Sequence, residues 1–352
     1  MAVTIYDIAQ RANLSHSAVS MALRGSTRVS EATRLRVRAL AEAMGYQPNF
    51  FARGLKSADT KIIAAVMPLN AQPSSELVLT IQQQCLASGY HVVWQNLTPE
   101  LEDQRRIFGL LTQGIFDAAL VMMYAYAPLR DLVRKFVDSG KPMVVIGPPH
   151  DLPDDSGVME VCIDGGRAVR SATRLLLEQG HRCIAHVVHT PMTPSEKDSH
   201  AAIVETLRAA GVDDWDPEYR FLYSPDGNDL QDGFRCAREL IDRRSRITAV
   251  ECPNDLFGIG FMHAVFAAGL RVPEDISILG SNNLAQADYC QVPLTSIDIK
   301  YREAAVLGCR MLQRKLKKPS TRSPGDRIVL SSEVVLRNSI GPVRPQVELA
   351  AN

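Results

Sequence analysis

The chain has 352 residues, 46% of them apolar and 22% charged, with 39 basic and 39 acidic side chains and no formal net charge. That is the balance of a folded globular protein of about two domains, and it excludes a disordered chain, a collagen and a coiled-coil rod. The longest nearly apolar stretch, 257–270, contains His263 and is too short for the roughly 18 residues a transmembrane helix needs.

The charge is unevenly placed. The first 60 residues hold eight basic and four acidic side chains, a net +4, and the remainder carries −4. A basic head on an acidic body is what a polyanion-binding head looks like. Thr4 caps a first helix, with Asp7 at its positive end and Ile5, Ile8 and Ala9 on one face. Asn13, Leu14 and Ser15 break the pattern. Ser15 caps a second helix, 15–23, with Ala18, Val19 and Ala22 inward and Gly25 after its end. Ser30 caps a third, 31–44, with Leu35, Ala39, Leu40 and Ala43 inward and Gly45 as its left-handed terminator.

Two short helices joined by three or four residues form a helix-turn-helix, whose second helix enters the major groove by its N-terminal end. His16, Ser17, Ser20 and Met21 lie there, outside the apolar stripe. The run TIYDIAQRANLSHSAVSMALRGSTRVSEATRLRVRALAEAMGYQPN resembles the lactose-repressor (LacI/GalR) family of bacterial transcription regulators, and the resemblance continues to about Asn338. It implies that FFARGLKS, 50–57, is a hinge helix that orders on the operator. In that reading Leu55 is the wedge at the central base step, with Ala52 and Lys56 beside it. An apolar wedge partly unstacks one step and bends the duplex. Gly54, a poor helix former, argues against a stable helix there without DNA. The candidate DNA contacts are Thr4, Ser15, His16, Ser17, Ser20, Met21, Arg24, Asn49, Ala52, Arg53, Leu55 and Lys56. Two of them depart from the family. Met21 stands where members usually carry Arg, and Arg24 where they carry Asn. Arg is the commonest reader of guanine, whereas Met offers only apolar contact. The half-site should therefore differ, with Arg24 directed to phosphate.

The body, 61–338, alternates strands and helices. Strands are expected at 62–67, 90–95, 118–123, 143–146, 161–163, 183–188, 221–223, 249–252 and 277–279. Regular βα alternation means parallel sheets, and two such series mean two doubly wound α/β lobes. The arrangement resembles the periplasmic-binding-protein fold of the family's effector domain. The expected division is 1–48 helix-turn-helix domain, 49–60 hinge and linker, and 61–338 effector-binding and dimerisation domain. Lobe 1 takes about 61–160 and 291–319, lobe 2 about 161–290 and 320–338, and 339–352 is a tail.

Ligands of parallel sheets bind outside the carboxyl ends of the strands, here between the lobes. Asn70, Tyr124, Asp164, His189, Asn254 and Asn282 follow strands and are candidate effector contacts. Asp164 in VCIDGG and Asn254-Asp255 match family patterns. Each such polar group has a helix-capping alternative, which is the expected role of Asp255 and Asn283. The family's Arg in the next helix falls on Ser199, with Lys197 and His200 nearby to supply a cation. The loop 226–229 has Asn228 but no aromatic residue. Asn282 stands where members usually carry Asp. The effector is therefore expected to be a small polar metabolite such as a sugar or sugar acid.

Enzyme readings find little support. There is no GxSxG elbow and no P-loop. Gly258 and Gly260 lie inside an apolar helix, where they suit close helix packing. His186 and His189 have an odd separation in a strand and point to opposite faces, so chelation is not expected. Seven cysteines, odd in number and none spaced C-x-x-C, predict free thiols with neither disulfide frame nor zinc knuckle. No metal and no cofactor is expected. Asp7 interrupts the place of an export signal's apolar run, so the chain is expected in the cytoplasm with no membrane partner. The expected function is a ligand-responsive regulator, read as a repressor, that binds double-stranded operator DNA as a homodimer. The short tail with two prolines gives no tetramer helix. The rivals are a solute-binding protein and an enzyme of the same two-lobed fold.

Overall fold

Three capped helices build the N-terminal unit. Helix α1, Ile5–Ala12, opens on a reciprocal capping box. The Thr4 hydroxyl accepts from the Asp7 amide and the Asp7 carboxylate accepts from the Thr4 amide at 2.7 Å. Asn13, left-handed at φ 53°, ends it. Helix α2, His16–Leu23, is capped by Ser15, which accepts from the Ala18 amide at 3.2 Å. Helix α3, Glu31–Ala43, is capped by Ser30. Their core is Ile8, Ala9, Ala12, Val19, Ala22, Val37 and Ala41. The expected inward set of α3 is corrected here. Leu35 is 61% exposed and Ala39 and Ala43 are also exposed, while Val37 and Ala41 are buried with Leu40 partly so. The helix carries two apolar stripes, and a head of this size has partners for one. Two arginines brace it internally: Arg36 donates to the Ala12 carbonyl and Arg34 to the Ser26 carbonyl.

The computed structural model describes residues 3–46, 59–69, 74–123, 125–149, 152–189, 192, 194–212, 220–223, 229–243, 246–317 and 326–344. They divide into two compact units, Met1–Lys61 and Ile62–Asn352. The second unit alternates strand and helix. Its first series is β1 Ile62–Met67, α4 Ser74–Ala87, β2 His91–Asn96, α5 Leu101–Leu111, β3 Ala118–Val121, α6 Arg130–Asp138, β4 Met143–Gly147 and β5 Met159–Asp164. The second is α7 Gly165–Glu178, β6 Ile184–His189, α8 Pro194–Ala209, β7 Arg220–Tyr223, α9 Asp229–Asp242, β8 Ala249–Glu251, α10 Asp255–Ala267, β9 Ser277–Ser281 and α11 Gln286–Tyr289. The chain closes with β10 Thr295–Asp298, α12 Tyr301–Lys317, β11 Arg327–Ser331 and β12 Glu333–Val335.

Two six-stranded sheets result, ordered β11-β5-β4-β3-β1-β2 and β12-β10-β9-β8-β6-β7. All pairings are parallel except β10 with β12. Strands β1, β3 and β4 are buried along their whole length, as a sheet covered on both faces requires.

The sheets move the expected lobe boundaries. Strand β5 pairs with β4 and completes the first sheet, so it does not open the second lobe. Strand β10 belongs to the second sheet, which excludes 291–298 from lobe 1. Strand β11 belongs to the first, which places it outside lobe 2. The chain crosses after Asp164, between Asp298 and Tyr301, and at Ser332, instead of near 160, 291 and 320. A strand belongs to whichever sheet it hydrogen-bonds, and hydrophobic periodicity does not encode that choice.

The crossings are tied to one another. The Ser332 amide donates to the Asp164 carbonyl at 3.3 Å. Lys300, left-handed at φ 63°, bonds Asp298 Oδ2 at 2.9 Å and Glu333 through its ammonium. Burial pulls that ammonium's pKa down, and the bonds to Glu333 and Asp298 more than reverse the effect.

Candidate DNA-reading face and effector cleft

At the start of α2 the Ser15 cap turns the chain so that His16 and Ser17 follow immediately on the helix's positive end. His16, Ser20 and Met21 are half-buried, and Ser15, Ser17 and Arg24 are exposed. Arg24 folds back to donate from Nε to the Ser20 carbonyl at 3.2 Å, which leaves its two Nη groups for a further contact. Thr4 is exposed and committed to its capping box, whose bonds hold the Asp7 carboxyl below its usual range. Sequence reasoning missed Tyr6. Its ring is 68% exposed and stacks on His16 at 4.6 Å between centroids and 16° between planes. An aromatic residue on the outer face of α1 was the available signal. Asn49, Ala52, Arg53, Leu55 and Lys56 lie outside the described residues.

In the second unit, all carboxyl ends of a parallel sheet lie at one edge, and polar residues that follow the strands collect there. Asp164 ends β5 half-buried and caps α7, with Oδ1 accepting from the Arg167 amide at 3.4 Å. Asn254 follows β8, is buried, and caps α10 by accepting from the Phe257 amide at 3.0 Å. Asn282 follows β9 in left-handed backbone, φ 93°, and donates its amide to the Ile297 carbonyl at 2.8 Å. Since β8 and β9 are neighbours, Asn254 and Asn282 issue from adjacent strand ends. Lys197 is exposed and Ser199 half-buried on α8. His189 ends β6, with its side chain outside the described set, as are Asn70, Tyr124 and Asn228 entirely.

The capping expectation for Asp255 and Asn283 is corrected. Asp255 is fully buried and accepts from Ser296 Oγ and from the Leu284 amide, each at 2.6 Å. It ties α10 to β10 and to the chain after β9, and Asn254 is the cap. Burial raises the Asp255 carboxyl to about 6, against the lowering effect of the Ser296 and Leu284 bonds. Asn283 accepts from Arg337 Nη2 at 2.7 Å, and that guanidinium also holds Asp288 and the Leu294 carbonyl. Both residues are scaffolding for the strand ends that carry Asn254 and Asn282.

Among the described residues no cluster of His, Cys, Asp or Glu is arranged to hold a metal ion, and no helix is long and apolar enough to cross a membrane. All seven cysteines are free thiols.

Comparison with known proteins gives two family matches. Residues 4–49 match the bacterial regulatory proteins of the lacI family, and residues 173–340 match the periplasmic binding protein-like domain. The HTH-type transcriptional repressor PurR of Klebsiella pneumoniae is 30% identical over 310 residues, 84% of each chain. Among solved structures, a transcriptional regulator CelR–cellobiose complex is 26% identical with a TM-score of 0.66, covering 96% of this chain and 99% of its own. A lac repressor dimer bound to operator and an anti-inducer has a TM-score of 0.79 at 20% identity over the same shares.

Proposed function

The chain belongs to the LacI family and is a ligand-responsive, DNA-binding transcription regulator, not an enzyme; from that premise we propose how its own residues divide the work. The observation that carries the reading is the capped α2 with His16, Ser17, Ser20 and Met21 on its N-terminal half. A helix presented by its positive end to the major groove meets base edges with its first residues. Tyr6 holds the His16 ring in place by stacking. Met21 supplies apolar contact, which suits a thymine methyl and gives guanine nothing. The Arg24 Nη groups, Thr4, Ser15 and Arg53 serve the backbone. Leu55 is the minor-groove wedge of the hinge, with Asn49, Ala52 and Lys56 around it. The test is selection of bound sites from random DNA. Met21→Arg is expected to shift one half-site position toward guanine, with a discrimination of about 1–3 kcal/mol. An unchanged site profile would remove Met21 from readout.

A two-fold operator needs two heads, and the second unit has faces suited to a second copy. On α4, Leu79 and Leu86 are exposed two turns apart, with Val93 exposed on edge strand β2. Leu230 and Phe234 are exposed one turn apart on α9, and Tyr289 on α11. Monomers seldom expose such sets. We expect a homodimer. Leu79→Arg should turn it toward monomer in sedimentation and weaken operator binding at least tenfold, since each head alone makes half the contacts.

The effector is a small polar metabolite, a sugar or sugar acid, held between the lobes by Asp164, Asn254 and Asn282. Lys197 and Ser199 approach from α8, with Asn70, Tyr124, His189 and Asn228 as the further contacts. Cellobiose in the CelR complex is a precedent for such a ligand in this fold. The protein works where the chromosome is, in the cytoplasm. Ligand biases the lobe arrangement, and operator affinity follows by about 1–3 kcal/mol of coupling.

A further inference from the structure

The layer between the second sheet and helices α7 and α8 is apolar throughout Ala168, Val169, Ala172, Leu176, Ile184, Ala202, Ile203 and Leu279. Into it four polar side chains converge from four elements: Thr173 from α7, His186 from β6, His200 from α8 and Glu251 from β8. Glu251 is 5% exposed, His186 8% and Thr173 not at all. In the parallel register Glu251 stands beside His186 on one side and beside the apolar Leu279 on the other. His186 Nδ1 lies 3.7 Å from Glu251 Oε2, and the His186 and His200 rings stack at 5.6 Å and 19°. A carboxylate in such a place costs several kcal/mol unless it is compensated.

The hydrogen-bond geometry shows which form fits. The Thr173 hydroxyl oxygen is 3.0 Å from the Val169 carbonyl and 3.0 Å from Glu251 Oε1. One hydroxyl proton serves only one of these acceptors. If Glu251 carries a proton, Oε1 donates to the Thr173 oxygen and the hydroxyl donates to Val169, so both contacts are satisfied. If Glu251 is ionised, one acceptor goes without. Burial points the same way and raises this carboxyl to about 7, with Thr173 lowering it only in part.

We propose that Glu251, with Thr173, His186 and His200, forms a buried proton-binding site that fastens helix α8 to its sheet when protonated and loosens it when the proton leaves. The only ionisable groups among the described residues that meet Glu251 here are His186 and His200. The helix bears Lys197 and Ser199, so the last step, from proton to effector affinity, rests on the effector-cleft reading above. The transition lies near neutrality, where a cytoplasmic regulator would register it.

The experiment uses the full chain. Hydrogen exchange of the α8 amides is measured across about pH 6 to 8.5, corrected for intrinsic rates. Protection should fall at least tenfold in the wild type. It should stay flat and high in Glu251→Gln, whose amide donates to Thr173 at every pH. Equal pH profiles for the two proteins would overturn the proposal. Should the variant not fold, carbon-13 titration of the Glu251 carboxyl in the wild type decides: a midpoint near 7 supports the site, and one below about 5 overturns it. Operator affinity measured in parallel separates the two readings. A titrating α8 with pH-independent operator and effector binding would break the link to the cleft alone.

Discussion

Deleting residues 1–60 should abolish sequence-specific duplex binding while the effector unit stays folded. The sheets of that unit start at Ile62 and take nothing from the head, which packs around its own core of Ile8, Val19 and Val37. The deletion also removes a net +4 and leaves a chain of −4, so the fragment repels phosphate. Specific complexes are about 10³–10⁷ tighter than non-specific ones, and the loss should be at least about 10³-fold. Fluorescence anisotropy with a selected operator measures it, and thermal unfolding of the fragment reports whether the body is intact. The full chain should also lose affinity steeply as salt rises, because counterions released from phosphate drive part of its binding. A fragment that kept operator preference, or a full chain indifferent to salt, would place the reading surface elsewhere.

Local signals in the head were legible because they are short-range chemistry. Thr4 with Asp7, Ser15 and Ser30 cap where their types and spacing say they should, since a cap is decided within four residues. The strands were legible as apolar runs for the same reason. What failed depends on distant partners. Leu35 is more apolar than Val37, yet α3 meets α1 and α2 through Val37 and Ala41, and the helix alone does not contain that choice. Strand β10 pairs with β9 and β12, whereas β11, 29 residues beyond the end of β10, pairs with β5. Glu251 in the run AVEC read as an ordinary strand residue, because Thr173 lies 78 positions away. Asp255 read as a cap because the residue before it was not recognised as the better one. Asn254 has the extended backbone that capping requires, at φ −158° and ψ 173°. The strand-end candidates were legible from topology alone, and their partners across the cleft were not, because those belong to a ligand.

Gly260→Ala should destabilise the second lobe by at least about 3 kcal/mol, and Gly233→Ala by a similar amount. The sequence suggested close helix packing at Gly258 and Gly260, and the structure places α9 directly against α10 at both helices' glycines. A Cβ on Gly260 would lie 2.0 Å from the Leu230 carbonyl oxygen, and one on Gly233 would lie 2.0 Å from that of Phe257. These obstacles are backbone, so no rotamer change relieves them and the helices must move apart. Moving them opens the cluster of Phe257, Phe261, Met262, Ala237 and Leu240, all nearly or fully buried. Overpacking a tight core costs about 1–3 kcal/mol when side chains can adjust, and here they cannot. Gly109→Ala on α5 is the internal control. Nothing lies within 4 Å of its added Cβ, and alanine is the better helix former by about 1 kcal/mol. The same substitution should therefore leave stability unchanged or raise it slightly. Urea unfolding of the three variants reads both signs. Should Gly260→Ala unfold at the wild-type midpoint, α9 and α10 are not in backbone contact in solution, and Leu230 and Phe234 would then not be held where a second copy can meet them.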